Sequence, residues 1–247
     1  MTTATPLAID GLVNVRDLGG IPTRDGRTVQ RGRVVRADNP RNLTEQGVRD
    51  LVAQVDPRVV VDLRMRMEVE REPYDLGLAG TRVINLPMLP QSGVNPEQIA
   101  AGMADNLVED YRRQTVANAE SILQALALVA EPGNRPLVVH CTAGKDRTGI
   151  VVALLLDLLD VDHEVIVADY HVTAANMAVV LERIRAAQVF QDNGLAAAPD
   201  WIFAADADTM RTFLANFTAE HGRARDWALA RGLSEAQIDA IRTGLLD

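Results

Sequence analysis

Within 25 residues this chain passes from an apolar strand to an apolar helix through a loop too short to hold any structure of its own. Leu137-Val138-Val139-His140 follows a Pro132-Gly133-Asn134 turn and reads as a buried strand. From Arg147 through Leu159 the sequence is a near-continuous apolar run that reads as a central helix. Between Cys141 and Arg147 lie Thr142, Ala143, Gly144, Lys145 and Asp146. A strand and a helix joined this tightly must meet at one edge of an α/β core, with the loop crossing the strand's carboxyl end.

The loop holds the only cysteine of the 247 residues and the only lysine among 25 cationic side chains. Small residues at Thr142, Ala143 and Gly144 let successive backbone N–H groups turn inward. The unpaired amides of the first helical turn join them. Such a nest suits a tetrahedral anion, and phosphate is its natural guest. The helix dipole, Arg147 and Lys145 all favour thiolate over thiol at Cys141, which becomes a nucleophile at neutral pH. The planar fork of Arg147 can grip two phosphoryl oxygens, and Thr148 can donate its hydroxyl to the departing thiolate. A lone cysteine at a strand end is often an inert core thiol. The glycine, arginine and threonine that follow it at three, six and seven positions favour the catalytic reading.

This segment resembles the signature loop of the cysteine-dependent protein tyrosine phosphatase superfamily. Its interior, Ala143-Gly144-Lys145-Asp146-Arg147, is similar to the bacterial tyrosine phosphatase B type, whose members accept phosphotyrosine, phosphoserine/threonine and phosphoinositides. Asn14-Val15-Arg16-Asp17-Leu18-Gly19-Gly20, Gly32-Arg33-Val34-Val35-Arg36, Val60-Val61-Asp62-Leu63-Arg64, Asn85-Leu86-Pro87 and Val165-Ile166-Val167-Ala168-Asp169-Tyr170 resemble that family in the same order, so the likeness runs from about residue 10 to the end. It implies a protein tyrosine phosphatase-like α/β fold, a central mainly parallel sheet flanked by helices. It also implies a helical C-terminal region able to close over the site as a lid.

Composition agrees with a single enzyme domain over residues 1–247. The apolar share of 47% supplies one sizeable core. A net charge of -9 argues against nucleic acid and against adsorption to anionic membranes. Residues 1–66 nevertheless carry eleven arginines against eight acids, which is either a basic surface flanking the site or an arginine-rich composition without local meaning. No secretory leader or transmembrane run is evident, so cytoplasmic residence is expected, with export lacking a cleaved signal as the alternative. A single cysteine allows no intrachain disulfide.

Strands are expected at 28–30, 33–36, 58–63, 82–86 and 135–140, with a helix over 43–54 between the second and third. Asn95-Pro96-Glu97 begins the first of two helices expected before residue 130. Beyond Asp160 the chain reads as helical. Asp162 caps one helix, 173–187 and 208–221 form others, and Ser234-Glu235-Ala236-Gln237 is a capping box for the last. Residues 160–205 are the candidate lid and 206–247 the terminal helices. The apolar residues Met177, Val180, Ile184, Val189, Phe190, Trp201 and Phe203 suit either a lid or the core of a helical layer, and Asn193-Gly194 and Pro199 mark a break.

His163, His171 and His221 lack ligand spacing, and no metal or organic cofactor is implied. His140 is expected to orient the loop. The charged residues of Asn14-Val15-Arg16-Asp17 and Asp62-Leu63-Arg64 are expected to brace neighbouring loops, with substrate contact as the alternative. A general acid is the missing part. The relatives often place an aspartate shortly after the segment matching Asn85-Leu86-Pro87, whereas here Met88-Leu89-Pro90-Gln91-Ser92 contains none. The substitutes, in order, are Asp146 in the loop and Asp200 in Pro199-Asp200-Trp201, with Asp110 on a helix behind them.

The expected activity is that of a protein tyrosine phosphatase, a phosphomonoesterase that forms a phosphocysteine, takes a phosphorylated protein or a phosphoinositide and releases inorganic phosphate. Cys141, Arg147 and Asp146 are the catalytic candidates. Thr142, Ala143, Gly144, Lys145, Thr148 and Gly149 form the substrate cradle, with Lys145 as a mobile cation at its rim. Arsenate reductases and sulfurtransferases use comparable cradles. The first need further thiols that this chain lacks, and the second need no arginine and threonine at these positions. A silent phosphate-binding module is the remaining alternative.

Overall fold

The computed structural model describes residues 4–88, 107–192 and 200–247. Six strands form one sheet: β1 (Thr5–Pro6), β2 (Arg16–Asp17), β3 (Val34–Ala37), β4 (Val59–Asp62), β5 (Arg82–Asn85) and β6 (Leu137–His140). Their spatial order is β1-β2-β3-β6-β4-β5. The pairs β3–β6, β6–β4 and β4–β5 are parallel, and only the edge formed by β1 and β2 is antiparallel. This is the mainly parallel α/β sheet that the sequence predicts. Strand β6 lies at its centre, with Val138 level with Val35 on one side and Val60 on the other.

Alternate residues of the strands serve two separate cores, as a pleated strand requires. Val35, Val60 and Val138 face a small cluster with Leu51 and Val55 of helix α1 (Glu45–Gln54). Val34, Val59, Val61, Leu137 and Val139 face the large core. Helix α1 starts at Thr44, whose side chain accepts the N–H of Gly47. After β4 comes the short helix α2 (Arg66–Arg71). Helices α3 (Leu107–Ala117) and α4 (Ala119–Ala130) lead to β6, and α5 (Asp146–Leu158) leaves it. Every residue of α5 from Thr148 onward is buried, which explains why it is apolar on all sides.

The remaining elements are helical: α6 (His163–Val172), α7 (Met177–Ala186), α8 (Gln188–Asp192), α9 (Ala207–His221), α10 (Ala224–Ala230) and α11 (Glu235–Leu245). Asp162 caps α6 through the N–H of Glu164, and Ser234 with Gln237 forms the capping box of α11, both as expected. Val180, Ile184, Val189, Phe190 and Phe203 lie in the main core, so the candidate lid region is packed as a helical layer, while Trp201 stays 44% exposed.

Two expectations differ. The segment 28–30 makes only isolated bridges, Pro22 to Thr28 and Val29 to Leu246, because the C-terminus rather than a strand lies beside it. The antiparallel edge strands β1 and β2 carry no alternating apolar pattern and were not expected. The helix start at Asn95-Pro96-Glu97, the acid-free segment at residues 89–92 and the break at Asn193-Gly194 and Pro199 lie outside the described residues. One helical run, His163–Ala186, is long and apolar enough by composition to cross a membrane. It is interrupted by a 3-10 turn at Thr173–Asn176, and Ile166, Tyr170, Val180 and Ile184 bury it in the core.

Candidate active site

Strand β6 ends at His140, and Cys141 follows at its carboxyl end, buried beside the loop that enters α5. The loop is built by fixing its carbonyls from outside. Asn39 donates its backbone N–H to the Thr142 carbonyl at 3.2 Å. Asn14 Nδ2 donates to the Ala143 and Gly144 carbonyls at 2.9 and 3.2 Å, and Arg36 Nη2 reaches Gly144 at 2.7 Å. In a trans peptide the N–H points opposite to the C=O. Holding these three carbonyls outward therefore turns the following N–H groups, at 143, 144 and 145, into the loop. None of the amides of 142–145 is taken by another described residue. Gly144 has φ +64, and a Cβ there would lie 2.5 Å from the Ala37 carbonyl oxygen, so only glycine lets the loop approach β3 this closely.

The residues that hold the loop are themselves locked. Alternation along β3 places Arg36 on the face of the sheet covered by α6. There Arg36 Nη1 donates to Asp169 Oδ2 at 2.6 Å, and Arg16 Nε donates to Asp169 Oδ1 at 2.8 Å. Burial pushes the Asp169 carboxyl up, but Arg16 and Arg36 outweigh it and hold its pKa below the usual value. Arg16 also donates to Asn14 Oδ1 at 2.7 Å, linking both anchors of the loop. Asp62 and Arg64 brace each other through Arg64 Nη2 at 2.8 Å, and Arg64 Nη1 donates to the Glu72 carbonyl. Three of the eleven N-terminal arginines, Arg16, Arg36 and Arg64, are thus internal struts rather than surface charge.

Arg147, in the first turn of α5, meets a partner from α2. Its Nη1 donates to Glu68 Oε2 at 2.5 Å and its Nη2 to Oε1 at 3.1 Å, while Thr142 Oγ1 donates to Oε1 at 2.5 Å. Burial disfavours both charges, yet each raises the other's ionised share: Glu68 sits below its usual pKa and Arg147 above its own, with Cys141 adding to the latter. Glu68 also accepts the Met65 N–H at the start of α2, at 2.8 Å, which fixes the carboxylate before the arginine arrives. Sequence reasoning missed Glu68, because Arg66-Met67-Glu68-Val69-Glu70-Arg71 looks like any charged surface helix.

His140 is fully buried, with Nδ1 3.1 Å from the Cys141 carbonyl and Nε2 2.7 Å from the Tyr74 hydroxyl. Burial lowers its pKa, leaving a neutral ring that orients the strand end. Thr148 Oγ1 is buried without a hydrogen-bond partner, so its proton is uncommitted. Gly149 lies in α5 against Tyr170, where a Cβ would stand 3.2 Å from the ring, and its N–H donates to the Lys145 carbonyl at 2.7 Å, so it is not among the free amides expected to line the cradle.

One candidate side chain stands differently from its expected place. Lys145 is not a mobile cation at the rim. It is 1% exposed, and its Nζ donates to the carbonyls of Ile202 and Ala204 at 2.6 and 2.9 Å and lies 3.1 Å from Asp146 Oδ1. All three ammonium protons are spent inside the fold. Asp146 is the first residue of α5, and its Oδ1 also accepts the Tyr111 hydroxyl at 2.6 Å; Tyr111 in turn meets Tyr170 at 2.7 Å. The backbone of Asp200 belongs to a 3-10 turn over Asp200–Phe203, and its side chain lies outside the described residues. Asp110 bonds Gln114 within α3. Among the described residues no group of three His, Cys, Asp or Glu side chains could hold a metal ion.

A parallel sheet with an anion-shaped loop at the carboxyl end of its central strand, a thiol at the loop's start and an arginine at its end defines a cysteine-based phosphatase architecture. The chain belongs to the tyrosine phosphatase family, whose sequence profile it matches over residues 7–247. It is similar to a Cupriavidus necator chain that carries a provisional tyrosine-protein phosphatase name, with 33% identity over 66% of this chain and 61% of that one. It is also similar to the triple specificity protein phosphatase PtpB of Mycobacterium tuberculosis, with 29% identity over 63% of this chain and 60% of PtpB. The matched region thus spans about 60% of the length of these two curated relatives. Among solved structures, the core catalytic domain of the PP-IP phosphatase SIW14 from S. cerevisiae aligns with 79% of this chain and 98% of that domain, at 16% identity and a TM-score of 0.43.

Proposed function

We propose that the protein hydrolyses phosphomonoesters through a phosphocysteine, with phosphotyrosine in proteins as the leading substrate and phosphoserine/threonine or phosphoinositides as further ones. The observation that carries this reading is the outward anchoring of the loop carbonyls by Asn14, Arg36 and Asn39, which leaves a row of inward N–H groups around Cys141. Cys141 Sγ attacks phosphorus, the P–O bond to the leaving group breaks, and the leaving oxygen takes a proton from Asp146 or Asp200. Water then gives a proton to the carboxylate left by the first step and attacks phosphorus, the S–P bond breaks with its electrons returning to sulfur, and inorganic phosphate departs. Through both steps Arg147 and the loop amides hold the equatorial oxygens, where preorganised donors have their largest effect. Ala143 and Gly144 contribute backbone only, and Thr148 donates to the thiolate as it leaves.

The family membership and the relatives' printed phosphatase names support the same chemistry. The test is phosphate release from an aryl phosphate by wild type and by Cys141→Ser. The variant is expected to lose multiple turnover while still binding a phosphate analogue such as vanadate or tungstate. Retained turnover above a few per cent of wild type removes the covalent mechanism, and an inactive wild type that still binds the analogue leaves a phosphate-binding module.

A further inference from the structure

Three side chains from three helices form a hydrogen-bonded row that ends in the signature loop. Tyr111 of α3 donates its hydroxyl to Asp146 Oδ1 at 2.6 Å, and the Tyr170 hydroxyl of α6 lies 2.7 Å from that of Tyr111. Both tyrosines are buried, and their rings stand edge to face with 6.2 Å between centroids; Phe213 of α9 packs on Tyr111 in the same manner at 5.8 Å. A phenol oxygen in an apolar core costs free energy unless it is hydrogen-bonded. Phenylalanine at either position would fill the space without that cost, so packing alone does not call for the hydroxyls.

The proton count of the row fixes its direction. Each phenol has one proton to give, and an ionised carboxylate has none. With the Tyr111 proton committed to Asp146, the proton between the two tyrosines belongs to Tyr170, so the donors run from Tyr170 to Tyr111 to Asp146. Burial, with the Asp146 carboxylate nearby, raises both phenol pKa values, so neither hydroxyl ionises at neutral pH. The Lys145 ammonium, which can only donate, lies 3.1 Å from the same Oδ1. Two donors thus converge on Oδ1, and a proton bound there would face both. Among the described residues no donor meets Oδ2, and the Asp146 side chain keeps 30% of its surface exposed.

The row shares a helix with the cradle. Tyr170 follows Asp169, whose carboxylate holds Arg16 and Arg36 and through them the loop carbonyls, so adjacent residues of α6 set the cradle and Asp146 in one frame. We propose, building on the reading in which Asp146 supplies the leaving-group proton, that Tyr111 and Tyr170 are positioning residues for this transfer: they hold Oδ1 so that Oδ2 alone carries the proton. As the P–O bond breaks, the proton on Oδ2 passes to the leaving oxygen, and the bonding pair stays on the carboxyl group. The charge that forms there is shared with Oδ1, where the Tyr111 hydroxyl and the Lys145 ammonium already point. Donors in place before the step need no reorganisation during it.

The experiment measures kcat/KM over a series of phosphate monoesters, from nitrophenyl to alkyl, for wild type, Tyr111→Phe, Tyr170→Phe, Asp146→Asn and Tyr111→Phe combined with Asp146→Asn. Both phenylalanines keep the ring packing, and circular dichroism checks the fold of each variant. Tyr111→Phe is expected to slow alkyl phosphates about threefold to tenfold more than nitrophenyl phosphate, the scale of one hydrogen bond. Tyr170→Phe should act in the same sense by a smaller factor, and it carries the comparison if Tyr111→Phe does not fold. With Asp146→Asn already present, Tyr111→Phe should add no further dependence on the leaving group, because the hydroxyl acts through the carboxyl. A leaving-group dependence unchanged in both tyrosine variants overturns the proposal, and so does the same added dependence with Asp146 replaced, since the tyrosines would then be core residues only. An unchanged dependence in Asp146→Asn by itself removes the acid reading, and the positioning role with it; that failure is read from a variant in which both tyrosines are intact. Phosphate release from nitrophenyl phosphate by wild type, and its loss in Cys141→Ser, test the phosphatase reading separately.

Discussion

Glu68 and Arg147 come from different elements, α2 and α5, and are joined by two hydrogen bonds, so the arginine fork is already aimed before any phosphate arrives. A preoriented guanidinium avoids reorganisation in the transition state, which is where such donors act most strongly. Arg147→Lys is expected to lower kcat for aryl phosphate a hundredfold or more, a loss of about 3 kcal/mol of transition-state stabilisation. Glu68→Gln keeps the shape of the partner and removes its charge, so a smaller loss in kcat is expected, on the order of tenfold. An unaffected kcat in Glu68→Gln would show that the loop alone positions the arginine.

Lys145 binds the signature loop to the segment 202–204 instead of meeting substrate. Lys145→Ala is therefore expected to reduce turnover of aryl phosphate and soluble phosphoinositide by similar factors, and to lower the melting temperature. The buried carbonyl of Ile202 loses its donor, an omission that typically costs about 1–3 kcal/mol, and the partly buried carbonyl of Ala204 loses one too. A loss confined to phosphoinositide turnover, with stability unchanged, would place the ammonium at the substrate.

The strand, loop and helix from Leu137 to Leu158 were legible because their pattern is local: an apolar run, small residues, then a second apolar run. The starts of α6 and α11 were legible for the same reason, since a cap is a relation between residues two or three apart. What the sequence hid are relations across long separations. Glu68 meets Arg147 across 79 positions, and Asp169 meets Arg16 across 153. Lys145 was misplaced because a lysine inside a phosphate loop carries no mark of which way its chain turns. Only the carbonyls of Ile202 and Ala204 reveal that.

The buried Asp169 carboxylate, held below its usual pKa by Arg16 and Arg36, ties stability to pH. In the unfolded chain an aspartate titrates near 3.9. A group whose folded pKa is lowered contributes stability that is fully present above the unfolded value and is lost as pH falls through the folded one. Denaturant titrations are expected to show this contribution constant from pH 7 to about 5 and declining below about 4. Asp169→Asn leaves two buried guanidinium groups short of a charge partner, and is expected to cost about 3–5 kcal/mol at pH 7. The gap between variant and wild type should narrow in acid. A gap independent of pH would mean that Asp169 acts by packing rather than by charge.

The leaving-group proton separates Asp146 from Asp200. Asp146 Oδ1 is occupied by the Tyr111 hydroxyl and lies 3.1 Å from Lys145 Nζ, which leaves Oδ2 as the oxygen able to carry the transferred proton. A nitrophenolate departs unaided, whereas an alkoxide needs protonation in the transition state, so loss of the acid should penalise substrates in order of leaving-group pKa. Asp146→Asn is expected to slow alkyl phosphates at least tenfold more than nitrophenyl phosphate, with Tyr111→Phe shifting the same dependence more weakly through the freed Oδ1. Asp200→Asn, measured in parallel, should leave the slope unchanged if Asp146 is the donor. A steeper slope in Asp200→Asn alone would move the acid to the segment after residue 199. Unchanged slopes in both would mean that neither aspartate gives the proton, and that the enzyme depends on leaving groups as acidic as a phenol, favouring phosphotyrosine over phosphoserine.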